Sequence, residues 1–155
     1  MSVLILLGSA SDKPVAEKAA RVFKELDIRF STFVASAHRS PQRVVQLIED
    51  TDADVVIAVA GLSAALPGVV AAHTLKPVIG VPVSGKVHLD AILSVVQMPP
   101  GVPVAGVGLD RGENAALLAA RIIALKDPKV ADALEAYRRK LEAKVEEDSR
   151  QVEAL

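Results

Sequence analysis

A chain of 155 residues, 51% hydrophobic and 24% charged, has the size of one domain and ample material for a core, which excludes a disordered chain. A formal net charge of −1 gives no reason to expect a nucleic-acid or membrane-surface partner, and no stretch is long enough to span a bilayer. With no cysteine there can be no disulfide, no thiolate zinc site and no cysteine nucleophile.

The pattern along the chain alternates strands with helices. Val3 to Leu7 is a continuous apolar run that suits a strand buried on both faces. It lacks a basic flank and Gly8 stops it, so it does not read as a secretory leader, and a cytoplasmic protein is expected. Gly8 to Asp12 is a turn, and Pro14 stands where a first helical turn tolerates it. Val15, Ala19, Val22, Phe23 and Leu26 then follow helical spacing. Phe30 to Ala35 is the second strand, and Ser40-Pro41 opens a helix with Ser40 as its cap. Val55 to Val59 is the third strand, followed by a small-residue loop and a short helix over Val69 to His73. Pro77 to Val83 is the fourth strand, Leu89 to Val96 a helix, Val102 to Val107 the fifth strand and Asn114 to Leu125 a helix. A last helix, about 129–154, carries an apolar stripe at Val130, Leu134, Tyr137, Leu141 and Val145.

Strands and helices at this spacing imply right-handed βαβ units around a parallel sheet, hence a single three-layer α/β domain spanning 1–155. Aromatics are only 3%, so Ala, Val, Leu and Ile either fill the core or also cover apolar surface between subunits. The stripe on the last helix outlasts the sheet pattern, so that helix is expected on a neighbouring subunit; folding back on its own domain is the alternative.

Two turns carry chemistry. A glycine lets Gly8-Ser9-Ala10-Ser11-Asp12 approach a ligand closely, and free N–H groups at the following helix start attract phosphate. Ser9 and Ser11 supply hydroxyls and Asp12 a ribose acceptor, although Ser11 or Asp12 can equally serve as a helix cap. The segment is neither a Walker loop nor G-x-G-x-x-G. In Ser36-Ala37-His38-Arg39-Ser40-Pro41, Arg39 can grip a phosphate in a fork and His38 offers the side chain that changes charge near neutrality. A surface His beside a surface Arg is the plain alternative. Both turns follow strands of a parallel sheet, so both emerge at the edge where such sheets bind ligands.

The run Gly61 to Gly68 can form a tight pocket wall or merely a packing turn, and Ser63 is not in a G-x-S-x-G elbow. His73, on an apolar stretch, reads as structural, and His88 lies in a polar loop with no assignable role. Three scattered histidines without clustered carboxylates make no metal site.

The chain resembles the N5-carboxyaminoimidazole ribonucleotide mutase and AIR carboxylase family of purine biosynthesis. The resemblance is carried by the two turns above, by Ala60-Gly61 with Leu66-Pro67-Gly68, by Pro77 to Val83, by Val96-Gln97-Met98-Pro99 and by Asn114 to Ala120. It implies a flavodoxin-like three-layer sandwich, assembled as a homo-octamer, with no metal and no organic cofactor. It also implies that Ser9, Asp12 and Arg39 bind a ribonucleotide, with Ser11, Ser36 and Ala37 helping at its phosphate. His38 matches the family's general acid/base. Ala60, Gly61, Ser63, Leu66 and Met98 would line the pocket for the imidazole and the migrating carboxylate. Many mutases carry a His where this chain has Ala65. Ser63 and Ala65 match a branch that carboxylates aminoimidazole ribonucleotide directly with carbon dioxide, whereas Leu66-Pro67-Gly68 matches the mutases. Direct carboxylation is therefore the alternative activity, and a non-catalytic nucleotide-binding module the remote one.

Overall fold

The computed structural model describes residues 1–153. In chain order the elements are β1 (Ser2–Leu7), α1 (Lys13–Glu25), β2 (Arg29–Val34), α2 (Pro41–Glu49), β3 (Val55–Ala60), α3 (Leu66–Ala72), β4 (Val78–Pro82), α4 (His88–Val96), β5 (Ala105–Gly106), α5 (Gly112–Ala124) and α6 (Pro128–Val152). A short 3-10 turn, Ala10–Asp12, leads into α1.

The five strands form one parallel sheet in the order β2-β1-β3-β4-β5. Alternate residues of the central strands feed opposite layers. Val3, Ile5 and Leu7 of β1 and Val55, Ile57 and Val59 of β3 join the layer built by α1 and α5. Leu4, Leu6, Val56, Ala58 and Ala60 face Val44 of α2, Leu66 and Val70 of α3, and Val95 of α4. With both faces covered, these strands have no polar side to show, which is why they read as unbroken apolar runs. The result is a three-layer α/β/α sandwich of flavodoxin-like topology.

Most boundaries fall within two residues of the sequence expectation, and two starts differ by three. β5 is two residues long instead of Val102 to Val107. Pro99 and Pro100 lead into Gly101 at φ 94°, and Pro103 has no N–H to give a ladder, so pairing begins only at Ala105. α3 starts at Leu66, three residues earlier than expected, with Pro67 in its first turn where the missing N–H has no helical partner to lose.

α6 divides into two parts. Val130 is buried, and Leu134 and Tyr137 pack on the α1/α5 layer, while Lys140 Nζ meets Glu25 Oε1 at 2.6 Å. Beyond them Leu141, Val145 and Val152 are exposed. The first half therefore lies on its own domain, and only the second half leaves apolar side chains uncovered by this chain. At the α1/α5 seam backbone approaches backbone closely: a Cβ on Gly112 would run into the carbonyl oxygen of Val15.

Candidate active site

α1 and α2 leave the sheet on opposite faces, so the strand order reverses between β1 and β3. Open parallel sheets hold ligands in the crevice at such a switch point, beyond the carboxyl ends of the strands. A cleft of about 560 Å³ lies there, bounded by the turns that follow β1, β2, β3 and β4.

The turn after β1 is pinned to β3, for Gly8 N donates to Val59 O at 2.9 Å. Ser9 then caps the 3-10 turn by accepting from Ser11 N at 3.3 Å, while Ser9 N donates to Asp12 Oδ2 at 2.9 Å. This reciprocal pair is a capping box. The cap is thus Ser9 and not Ser11 or Asp12, since Asp12 stands at the start of α1 without a side-chain cap bond; Ser9, Ser11 and Asp12 all line the cleft.

Asp12 is only 5% exposed. Burial pushes its carboxyl above the ordinary value, and the Ser9 and Ser11 hydrogen bonds and the Arg39 charge offset this only in part. The folded protein thus holds this proton more tightly than the unfolded chain does, so the carboxylate costs stability once the pH rises above the ordinary carboxyl value. Asp12→Asn keeps an oxygen for the Ser9 amide and removes the charge. Its stability relative to the wild type is expected to be highest at neutral pH, to shrink as the pH falls towards about 4, the ordinary carboxyl value, and to level off below it. Urea titrations across that range check it; an advantage that grew with acidity would contradict the burial account.

The turn after β2 is locked by its own serines. Ala35 N donates to Leu7 O at 2.9 Å, Ser36 N to Ser40 Oγ at 3.1 Å, and Arg39 N to Ser36 Oγ at 3.2 Å. Ser40 was expected to cap α2, but its hydroxyl is spent on Ser36, and α2 has no side-chain cap. Backbone closes the first turn of α2 instead, Arg43 N donating to Ser40 O at 3.1 Å. Arg39 crosses the gap between the two turns: its Nη2 donates to Gly8 O at 3.2 Å and its Nε to Ser36 Oγ at 3.4 Å. His38 stands exposed between Ala37 and Arg39, facing the same cleft.

The far wall is the loop after β3. Ala60, Gly61, Ser63 and Leu66 all line the cleft, with Ala64 N bonded to Gly61 O to close the turn. Ala65 and the exposed Leu62 complete this apolar wall.

Met98 does not join it. The side chain packs over Gly68 of α3, where a Cβ would stand 3.3 Å from Met98 Cε, and it lies outside the cleft lining of this chain. The expectation for Met98 came from the resemblance of Val96-Gln97-Met98-Pro99 to the family; in this chain the side chain packs on Gly68 of α3. Sequence reasoning also left out Val83 and Ser84, which reach the cleft wall from the end of β4. The signal was available, since any residue directly after a strand of this sheet arrives at the same edge.

His73 behaves as a structural residue, with Nδ1 bonded to Val69 O of its own helix at 2.8 Å. Among the described residues no cluster of three or more His, Cys, Asp or Glu side chains is placed to hold a metal ion, and no helix is long and apolar enough to cross a membrane.

Comparison with known proteins agrees with this geometry. The chain is 56% identical over 144 residues to N5-carboxyaminoimidazole ribonucleotide mutase of Methanocaldococcus jannaschii, covering 92% of each chain. It is 43% identical to the protein of that name from Pyrococcus horikoshii, over 97% of this chain and 88% of the other. The crystal structure of Treponema denticola PurE superposes with a TM-score of 0.87 at 35% identity, covering 96% of both chains. The AIR carboxylase family matches residues 2–144. The chain belongs to the AIR carboxylase family. The matched span takes in every loop of the cleft and ends within α6. For an AIR carboxylase family member, the cleft between β1 and β3 is the candidate active site, with the two serine-bearing turns on one side and the small apolar loop on the other.

Proposed function

We propose that the chain interconverts N5-carboxyaminoimidazole ribonucleotide and 4-carboxy-5-aminoimidazole ribonucleotide, moving a carboxylate from N5 to C4 in de novo purine biosynthesis. The observation that carries this reading is the bridge from Arg39 to Gly8, which unites an anion-binding pair of turns with His38 in one cleft. It occurs in a chain closely similar to proteins named for this reaction.

In the proposed site the ribose phosphate is held by Ser9, Ser11, Ser36, the Ala37 backbone and Arg39, together with helix N-termini. Asp12 accepts from a ribose hydroxyl. This anchoring fixes the heterocycle against His38, and orientation of that kind is worth about 7–11 kcal/mol of barrier. His38, protonated, gives a proton to N5 as the bond from N5 to the carboxylate carbon breaks and carbon dioxide leaves. The freed aminoimidazole is enamine-like, and its C4 attacks the carbon dioxide to form the new carbon–carbon bond. His38, now neutral, removes the C4 proton and restores the aromatic ring. One proton is given and one taken back, so the enzyme ends as it began and needs no cofactor. Ala60, Gly61, Ser63 and Leu66 form the small, water-poor wall against which the carbon dioxide is kept.

The Ser63 and Ala65 pattern at that wall favours a second reading, in which aminoimidazole ribonucleotide and carbon dioxide enter as substrates. Two assays separate them. With the N-carboxylated nucleotide and no bicarbonate, prompt formation of the C4 carboxylate is expected. Turnover only from aminoimidazole ribonucleotide with bicarbonate would assign the direct carboxylase instead.

The proposal extends to a homo-oligomer in the cytoplasm, an octamer by the family resemblance. Phe33 and Val34 on β2, Leu89, Leu93 and Val96 on α4, and Leu141 and Val145 on α6 are apolar and exposed, which is surface of the kind that subunits bury.

A further inference from the structure

Val83 and Ser84 reach the cleft from β4, and the loop that follows them is exposed as far as His88. What holds this loop lies 26 residues further on, in the turn between β5 and α5. Asp110 Oδ1 accepts from Ser84 N at 2.8 Å. Asp110 N donates to Pro82 O at 2.9 Å, and its carbonyl accepts from Lys18 Nζ of α1 at 2.9 Å. One residue thereby ties together α1, the end of β4 and the loop behind the third wall of the cleft. Its backbone is left-handed, at φ 59°, a conformation that Asp tolerates better than most residues and that aims the carboxylate at the Ser84 amide. We propose that Asp110 is a positioning residue, whose carboxylate holds the Ser84 amide and so sets the β4 loop at the cleft wall in the arrangement that turnover requires.

The charge state agrees with that role. Burial pushes the Asp110 carboxyl up, but the Ser84 hydrogen bonds and the Lys18 and His88 charges together outweigh it and hold it below the ordinary value. The acceptor is therefore an anion throughout the neutral range. The loop closes on itself as well, Gly85 N donating to His88 Nδ1 at 3.2 Å, so releasing Ser84 frees a compact unit. The kinetic part of this inference rests on the mutase reading; the structural part does not.

Two variants isolate the contact. Asp110→Gly suits the left-handed backbone and removes the acceptor, while Asp110→Asn tolerates that backbone and keeps an oxygen for Ser84. The Gly variant is expected to lose roughly tenfold in kcat with little change in KM, and the Asn variant to stay within roughly threefold of wild type. Hydrogen exchange gives a second readout that needs no turnover: amides of the 84–88 segment should exchange faster in the Gly variant and not in the Asn variant. Wild-type exchange in the Gly variant would overturn the clamp, whatever the enzyme's activity. Faster exchange with unchanged kcat, or equal kinetic losses in both variants, would overturn its link to catalysis. A wild type inert with both carboxyl donors would sink the mutase reading and leave the exchange result to decide the clamp.

Discussion

Replacing His38 with Asn is expected to lower kcat by about 10²–10⁴-fold, the span typical of a lost general acid/base, while KM stays within about threefold. The reason lies in where the residue stands. The proposed phosphate anchors are Ser9, Ser11, Ser36 and Arg39, and none of their hydrogen bonds passes through the imidazole. Asn at 38 keeps a polar side chain of similar reach on the same turn, so the nucleotide should still dock. What Asn cannot do is accept and return a proton, and the reaction needs both transfers from one group. Steady-state kinetics with the N-carboxylated nucleotide, alongside a direct binding titration, separate the two quantities. A kcat near wild type would remove His38 from the mechanism; a collapse of binding with kcat intact would make it an anchor.

The largest expected structural effect is at Gly112. Alanine there should destabilise the fold by about 3 kcal/mol, the upper end of ordinary overpacking, because the obstacle is backbone. The added methyl would meet the carbonyl oxygen of Val15, which is held in α1 and has no rotamer to change. Relief therefore requires α1 and α5 to move apart, and with them Val15, Ala16, Ala115 and Ala119, all buried along that seam. For a chain of this length the loss corresponds to a fall in Tm of about 6–12 °C. Melting must be compared at equal protomer concentration, since any self-association adds its own stabilisation. Gly85→Ala is the control: a Cβ there meets nothing within 4 Å, and its melting point should not move. A Gly112→Ala protein with wild-type Tm would show that the α1/α5 contact yields easily.

The architecture was readable from residues whose burial left a periodic trace. From Val3 onward β1, and all of β3, are buried and apolar on both faces, so their runs announced strands of a parallel sheet. α1 declared itself through Val15, Ala19, Val22 and Phe23, every one of them buried. β5 did not, because Val102 to Val107 has strand composition while Pro103 denies it the ladder, a conflict between propensity and hydrogen bonding that pattern alone does not settle. The cleft was legible to the extent that strand order assigns turns to an edge. Ser9, Asp12, Ser36, His38 and Arg39 follow β1 and β2, which are neighbours. Less legible were contacts made across the fold. Ser40 looked like a cap because Ser-Pro usually is one, yet its hydroxyl found Ser36 first. Ser84 owes its position to Asp110, and no local signal joins two residues so far apart in sequence. Met98, expected at the pocket from the resemblance, packs on Gly68 within this chain, a contact that no local pattern announces.

The strand that delivers His38 has one neighbour in the sheet. β2 pairs with β1 on one side only, its outer side is open, and Phe33 and Val34 near its end are exposed, one on each face. The proposed proton carrier thus hangs from an edge strand, whose ladder among the described residues runs to β1 alone. A second copy seated against that outer side would brace the imidazole without touching the substrate, so that gathering into an assembly and gaining chemical competence would be one event.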